Sequence, residues 1–173
     1  MPSPAAIGGG ALGAGAISVG TAYAAGAFNK KDEVVTYANF GDYVNKRALT
    51  YIGDLEDETP NSIKKLLEED KNANSSNGYR KKLQDKWDGM DAQGLQGENK
   101  DSITKPNEVK EKLIPSDSLN DLDNIAKFTK AWCKFKKSKT SGTDKKWTED
   151  TIKKDADWKI FEEVCLIEKA SQK

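Results

Sequence analysis

The chain has 173 residues and carries 28 basic and 28 acidic side chains, so its formal net charge is zero. This balance excludes a strongly basic nucleic-acid binder, and we expect no nucleic acid among its partners. The absence of histidine excludes a Ser–His–Asp triad and histidine-ligated metals, and two cysteines cannot form a four-cysteine zinc site. The sequence therefore predicts no cofactor, no metal and no catalytic residues, and it favours a protein that is not an enzyme.

The first 28 residues differ in composition from the rest of the chain. Residues 4–28 contain no charged side chain, and they hold half of the 14 glycines. As a helix this segment would be about 37 Å long, enough to cross a hydrocarbon core of about 30 Å. Small residues recur at every fourth position, as in closely packed membrane helices; they are Gly10, Ala14, Ser18, Ala22 and Gly26.

Three interpretations of residues 1–28 remain open. The segment is an uncleaved membrane anchor through residues 4–28, a cleaved export signal, or a flexible Gly/Ala tail. The sequences Ala22-Tyr23-Ala24 and Ala25-Gly26-Ala27 both offer cleavage sites of the small-x-small type, although no basic side chain precedes the apolar stretch. The first interpretation predicts a single N-terminal anchor in a membrane, the second predicts export, and the orientation across the membrane stays open.

After a charged linker over residues 29–35, residues 36–173 are predicted to form one mainly α-helical domain, an irregular small bundle. Its first half shows three helical stripes of apolar residues. They are Phe40, Val44, Ala48, Tyr51 and Ile52; Ile63, Leu66 and Leu67, after a cap at Thr59-Pro60; and Tyr79, Leu83 and Trp87 after a loop over 72–78. Strand alternation is absent, except that Glu33–Tyr37 could pair with another segment.

The second half predicts a short helix from Pro106 to Pro115 and, after a capping box at Ser118 and Asp121, the clearest amphipathic helix of the chain. A turn of helix is predicted over Trp147 and Ile152, and a last helix from about Asp155. We expect four aromatic side chains of the two long helices to share one core, because helices joined by a short linker pack together. The long stripe is Leu122, Ile125, Phe128, Trp132 and Phe135, and the core set is Phe128, Trp132, Trp158 and Phe161.

Cys133 and Cys165 lie beside the apolar faces of the last two major helices. They either form a disulfide or pack as two buried thiols. A disulfide would require crossed or near-parallel helices, because a simple antiparallel hairpin would place the two residues at opposite ends. It would also require an oxidising compartment.

Four lysines form a basic run at the end of the long helix: Lys134, Lys136, Lys137 and Lys139. Such a run is typical of a solvated helix end, where cations interact favourably with the helix dipole. The alternative is a surface for a partner.

The layout of the chain resembles a known group of proteins. A Gly/Ala-rich hydrophobic N-terminus precedes a Lys-rich helical body with the motifs Trp132-Cys133 and Trp158-x₆-Cys165. In these features the chain is similar to the short paralogous hypothetical proteins of haemotropic mycoplasmas. The resemblance implies a bacterium with one membrane and no cell wall, many diverged copies of the protein, and a role as exported surface antigens that vary against host immunity.

These observations predict a non-enzymatic membrane-anchored or exported surface protein, an antigenically diverse paralogue that faces the host. The alternative is a binding module for a host or membrane partner, using the Lys-rich helix end and exposed aromatic side chains.

Overall fold

The computed structural model describes residues 34–47, 49–70, 78–96, 103–113, 119, 121–142 and 145–168. The anchor or signal predicted over residues 1–28 lies outside the described residues, as do most of the loop predicted over 72–78 and Ser118. Within the described ranges, no helix is both long enough and apolar enough to cross a membrane.

The described residues are mainly α-helical, as predicted from the apolar periodicity. The longest helix, α5, has a strongly amphipathic sequence. Ile125, Phe128 and Trp132 of its predicted apolar stripe are buried, whereas Phe135 is 46% exposed. The helices are α1 (Phe40–Asn45), α2 (Ile63–Glu69), α3 (Tyr79–Lys86) with a 3₁₀ turn over Trp87–Gly89, α4 (Val109–Lys112), α5 (Leu122–Lys137), α6 (Glu149–Lys154) and α7 (Ala156–Cys165).

Four short strands form two antiparallel pairs: β1 (Thr36–Tyr37) with β3 (Trp147–Thr148), and β2 (Leu49–Tyr51) with β4 (Leu166–Glu168). Each pair joins a strand from the beginning of the domain to one from its end. The backbone N–H of Ile52 extends the second pair by donating to the carbonyl of Cys165 at 3.0 Å. These bonds hold the two ends of the domain together.

The core lies around α5, which packs against α1, α2 and α7, while α3 packs against α2, α4 and α7. The four aromatic residues predicted to share a core are all fully buried in one cluster. Phe40 contacts two of them, because its ring centroid lies 5.1 Å from that of Trp158 and 5.6 Å from that of Phe161. The ring of Phe128 instead contacts Trp87, at 5.1 Å.

The prediction of one helical stripe from Phe40 to Ile52 is wrong beyond Asn45, where α1 ends. Residues 49–51 form β2 instead, with Tyr51 opposite Leu166. The backbone of this segment finds its hydrogen-bond partners in β4, more than 100 residues further along the chain. A local apolar pattern carries no information about such a partner.

The predicted starts of three other helices lie too early in the chain. Helix α2 begins at Ile63 rather than after Thr59, because the Ser62 side chain accepts a hydrogen bond from the N–H of Lys65 at 3.2 Å and caps the helix. Asn61, with φ of +65°, turns the chain into this cap. The N-cap of α5 is Asp121 rather than Ser118, and α4 begins at Val109 rather than at Pro106.

The turn of helix predicted over Trp147 and Ile152 is confirmed at Ile152, which lies in α6, but not at Trp147, which lies in β3. Thr148 then caps α6 through a capping box with Thr151. Helix α7 begins where predicted, because the carboxylate of Asp155 accepts hydrogen bonds from the N–H groups of Asp157 and Trp158 at 2.9 and 3.2 Å.

Candidate functional site

The residues singled out from the sequence meet where α7 crosses the C-terminal end of α5. Cys133 and Cys165 form a disulfide with a Cα–Cα distance of 5.6 Å. Both residues are fully buried, and neither cysteine of the chain is free. Of the two alternatives left open by the sequence, the structure has the bridge.

The crossing of the two helices explains how the bridge forms. Cys133 is bonded to the C-terminal residue of α7, whereas Lys136 Nζ lies 2.8 Å from the carboxylate of Asp157 in the first turn of α7. At 1.5 Å per residue, the three steps along α5 span about 4.5 Å and the eight steps along α7 about 12 Å. Both ends of α7 therefore lie near the C-terminal end of α5, unlike in the simple antiparallel hairpin that would separate the cysteines.

Lys136 belongs to the interior and not to the partner surface predicted for the basic run. Its side chain is 8% exposed, with Nζ 2.8 Å from Asp157 and 3.6 Å from Asp91. The same ammonium lies 5.5 Å from the centroid of the Trp132 ring, within the range of a cation–π contact.

Two more lysines of the run are bound to carboxylates. Lys139 Nζ lies 2.8 Å from Asp155 and 2.9 Å from Asp157, and Lys137 Nζ lies 2.6 Å from Asp54. Lys134 is exposed. The basic run is thus largely balanced by acids of the same chain, so its charge is smaller than the sequence alone indicates.

The ion pairs around Asp157 shift the pKa values of both partners. Partial burial raises the pKa of the Asp157 carboxyl, but hydrogen bonds from Lys136 and Lys139 outweigh this effect and the net pKa is lowered. Burial likewise disfavours the charged form of Lys139, yet its hydrogen bonds to Asp155 and Asp157 raise its pKa overall. Asp157 and Lys139 are therefore both charged over the whole neutral range.

A shallow, open pocket of about 480 Å³ lies between α1 and the end of α5. Its lining is polar, and two of its charged residues, Asp54 and Lys137, are already paired with each other. Such a surface offers hydrogen bonds to a small polar molecule. The lining residues are Asn39, Gly41, Asp42, Asn45, Asp54, Lys134, Lys137 and Ser138.

Two neighbouring acidic residues, Asp57 and Glu58, also form ion pairs with lysines. Asp57 pairs with Lys130 at 3.3 Å and Glu58 with Lys65 at 2.8 Å. Across the described residues, no group of three or more cysteine or acidic side chains is arranged to hold a metal ion.

Sequence reasoning missed Arg80, one of only two arginines, which is 1% exposed. Its Nε donates to the carbonyl of Leu67 at 2.7 Å, and its backbone N–H donates to the carboxylate of Asp70 at 2.8 Å. Burial lowers its pKa, and Asp70 opposes this effect. The one signal in the sequence that could have indicated a buried Arg80 is that the chain uses arginine so rarely. A planar guanidinium satisfies buried carbonyls better than an ammonium does.

In comparisons with known proteins, no protein-family model, no curated protein and no solved structure matches the chain.

Proposed function

We propose that this chain is a non-enzymatic membrane-anchored or exported surface protein, whose helical domain lies in an oxidising compartment outside the cell. The disulfide between Cys133 and Cys165 carries the proposal, because such bonds persist in oxidising compartments and are rare in a reducing cytosol. The uncharged residues 4–28 provide the means of reaching that compartment, as a membrane anchor or an export signal that precedes the irregular bundle of residues 36–173 in the sequence.

The resemblance to the paralogous proteins of haemotropic mycoplasmas extends the proposal to an antigenically diverse protein that faces the host. The residues that carry this resemblance are Trp132, Cys133, Trp158 and Cys165, and all four are fully buried. A set of copies could keep these interior residues while the exposed residues change, because surface substitutions usually alter stability by no more than about 0.5 kcal/mol. Burial of the shared motifs supports surface variation without loss of the fold.

The binding-module alternative has less support. Phe135 is an exposed aromatic side chain, at 46%, beside the Lys-rich end of α5. However, Lys136 is buried, and Lys137 and Lys139 are paired with aspartates.

Protease treatment of intact cells that produce the full chain tests the proposed location. We expect an added protease to digest the domain while a cytosolic marker survives, and we expect alkylation of the denatured chain without reductant to modify neither cysteine. A variant lacking residues 1–28 is the matched control, and it should stay protected with both thiols alkylated. Protection of the full chain together with free thiols would contradict the proposal.

A further inference from the structure

Two exposed valines stand directly before β1. Val34 is 69% and Val35 60% exposed, which makes them the most exposed large hydrophobic residues of the described chain. They follow the uncharged segment, residues 4–28, after only a short connection. Apolar side chains in this position can enter the boundary between headgroups and acyl chains of a bilayer.

Basic residues are in excess around the same strand. Tyr37 of β1 is opposite Trp147, and Lys46 Nζ lies 5.0 Å from the centroid of the Tyr37 ring. Arg47 pairs with Glu149, the first residue of α6. Residues 40–47 and 145–154, which border β1, carry three acidic residues, Asp42, Glu149 and Asp150, against six basic ones: Lys46, Arg47, Lys145, Lys146, Lys153 and Lys154. Three of the six are paired, since Lys46 lies 3.5 Å from Asp42 and Glu149 contacts both Arg47 and Lys153.

We call Val34, Val35 and these six basic residues the β1 surface. Lys145, Lys146 and Lys154 are exposed, and no carboxylate of the described chain lies within ion-pair distance of them. The chain as a whole is neutral, so this local excess of positive charge is balanced elsewhere. Lys145, Lys146 and Lys154 thus differ from Lys136, Lys137 and Lys139 at the end of α5, which are all paired with carboxylates.

The length of the connecting chain restricts how far β1 can be from a membrane that holds residues 4–28. Phe28 and Val34 are separated by five residues, which span about 20 Å when fully extended. These five residues contain two lysines, one aspartate and one glutamate, so they add no net charge. Electrostatic attraction to a charged bilayer acts within a Debye length of about 8–10 Å. A connection of five residues allows the β1 surface to come within that distance of the headgroups.

We propose that the β1 surface lies on the headgroups of an anionic lipid bilayer, with the lysine and arginine side chains at the phosphates and the two valines at the apolar boundary. This inference rests on the proposed function, since it requires residues 4–28 to hold the chain at a membrane. Charge complementarity and the position of the hydrophobic segment both favour lipid as the occupant of this surface.

Lysine footprinting of the full chain in vesicles tests the proposal. The chain is inserted into vesicles of phosphatidylcholine alone or with about 30% phosphatidylglycerol, recovered by flotation, and treated with a water-soluble amine reagent. We expect labelling of Lys145, Lys146 and Lys154 to fall at least about threefold in the anionic vesicles, and high salt to abolish the difference. Lys82 and Lys127, exposed on α3 and α5, are internal controls that should label equally in both vesicles.

The variant K145Q/K146Q/K154Q provides the second arm. Its substitutions are at exposed positions, so it should keep the thermal unfolding midpoint of the parent and still float with the vesicles. We expect Lys46 and Lys153, which remain on the β1 surface, to lose their protection in anionic vesicles.

The outcomes separate the two proposals. Equal labelling in both vesicle types, or equal protection of Lys82 and Lys127, would overturn the β1 surface while flotation still supports the anchor. Failure of the full chain to float with either vesicle would overturn the anchor and the β1 surface together.

Discussion

Lys136 shows how a single residue can have a role opposite to the one its sequence context indicates. It stands among other lysines at a helix end, a pattern typical of solvated charge. In the structure its stem is buried and its ammonium reaches Asp157 across the helix crossing. The interior of this domain thus contains the ion pair of Lys136 and Asp157 next to the Trp132 ring. This pair connects α5 to the first turn of α7.

Replacing Trp132 by alanine should lower the free energy of unfolding by about 3–5 kcal/mol, because the side chain is fully buried and its removal leaves a large cavity. The matched control is Phe135→Ala in the same helix, where 46% of the residue is exposed and the loss should be below about 1 kcal/mol. Urea denaturation of the two variants measures both values. Equal losses would show that Trp132 is not the buried anchor of α5.

Acid should destabilise the domain partly through Asp157. Its lowered pKa means that the unfolded chain binds more protons than the native one in acid, so the stabilisation is complete above the ordinary pKa of 3.8 and is lost as the pH falls below it. We expect Asp157→Asn to be less stable than the parent at pH 6 and to lose less stability between pH 6 and pH 3.

Urea denaturation at the two pH values measures this difference. Asp150→Asn, at an exposed position of α6, is the control and should follow the parent. An unchanged pH dependence in Asp157→Asn would refute the role assigned to the carboxylate.

At the scale of the elements, caps and crossings determine where the helices begin and how they meet. Ser62 starts α2 with a side chain that is 1% exposed and that also donates to the carbonyl of Asp57 at 2.7 Å. The disulfide joins the last turn of α7 to α5, next to the β2–β4 pair. These are short-range bonds with consequences for whole helices.

Ser62→Ala should cost about 1–2 kcal/mol of stability, because it removes the N-cap of α2 and leaves the N–H of Lys65 without its acceptor. Thr59→Ala, at the position where the sequence pattern predicted the cap, should cost less than about 0.5 kcal/mol. Thermal unfolding of both variants distinguishes the two positions. The reverse order would place the functional cap at Thr59.

Reduction of the disulfide should lower the free energy of unfolding by about 3–4 kcal/mol, since the bridge closes a loop with a sequence separation of 32 residues. Urea denaturation after refolding with and without reductant measures this loss. The double variant C133A/C165A is the control, and it should have low stability that no longer depends on reductant. A parent whose stability does not respond to reductant would contradict the predicted contribution.

At the scale of the whole molecule, the domain is closed by contacts between its two ends. Both strand pairs join residues from the beginning of the domain, 36–37 and 49–51, to residues from its end, 147–148 and 166–168. The buried residues extend from Tyr37 to Leu166.

Deleting residues 1–33 should leave the free energy of unfolding unchanged within about 0.5 kcal/mol, because the cluster of buried residues from Tyr37 to Leu166 by itself joins the helices and strands of the domain. The full chain and residues 34–173 can be compared by denaturation in the same mild detergent. A shift of the midpoint to lower urea would show that the segment contributes to the core.

The amino-acid sequence by itself determined the mainly helical class, the positions of α5 and α7, and the burial of Phe128, Trp132, Trp158 and Phe161. Apolar periodicity and caps act over a few residues, so a local pattern is sufficient to reveal them. The sequence also limited the role of the two cysteines to a disulfide or a pair of buried thiols. The packing of α7 against α5, which decides between these alternatives, could not be inferred from the sequence.

Only the tertiary structure decided which distant segments meet. The end of the helix predicted from Phe40, the burial of Lys136 and the disulfide all depend on contacts between residues far apart in the chain. The physical reason is that β pairing, ion pairing and bridge formation require the partner to be in place, and a partner about 20 to 120 residues away leaves no periodic signal beside the residue it binds.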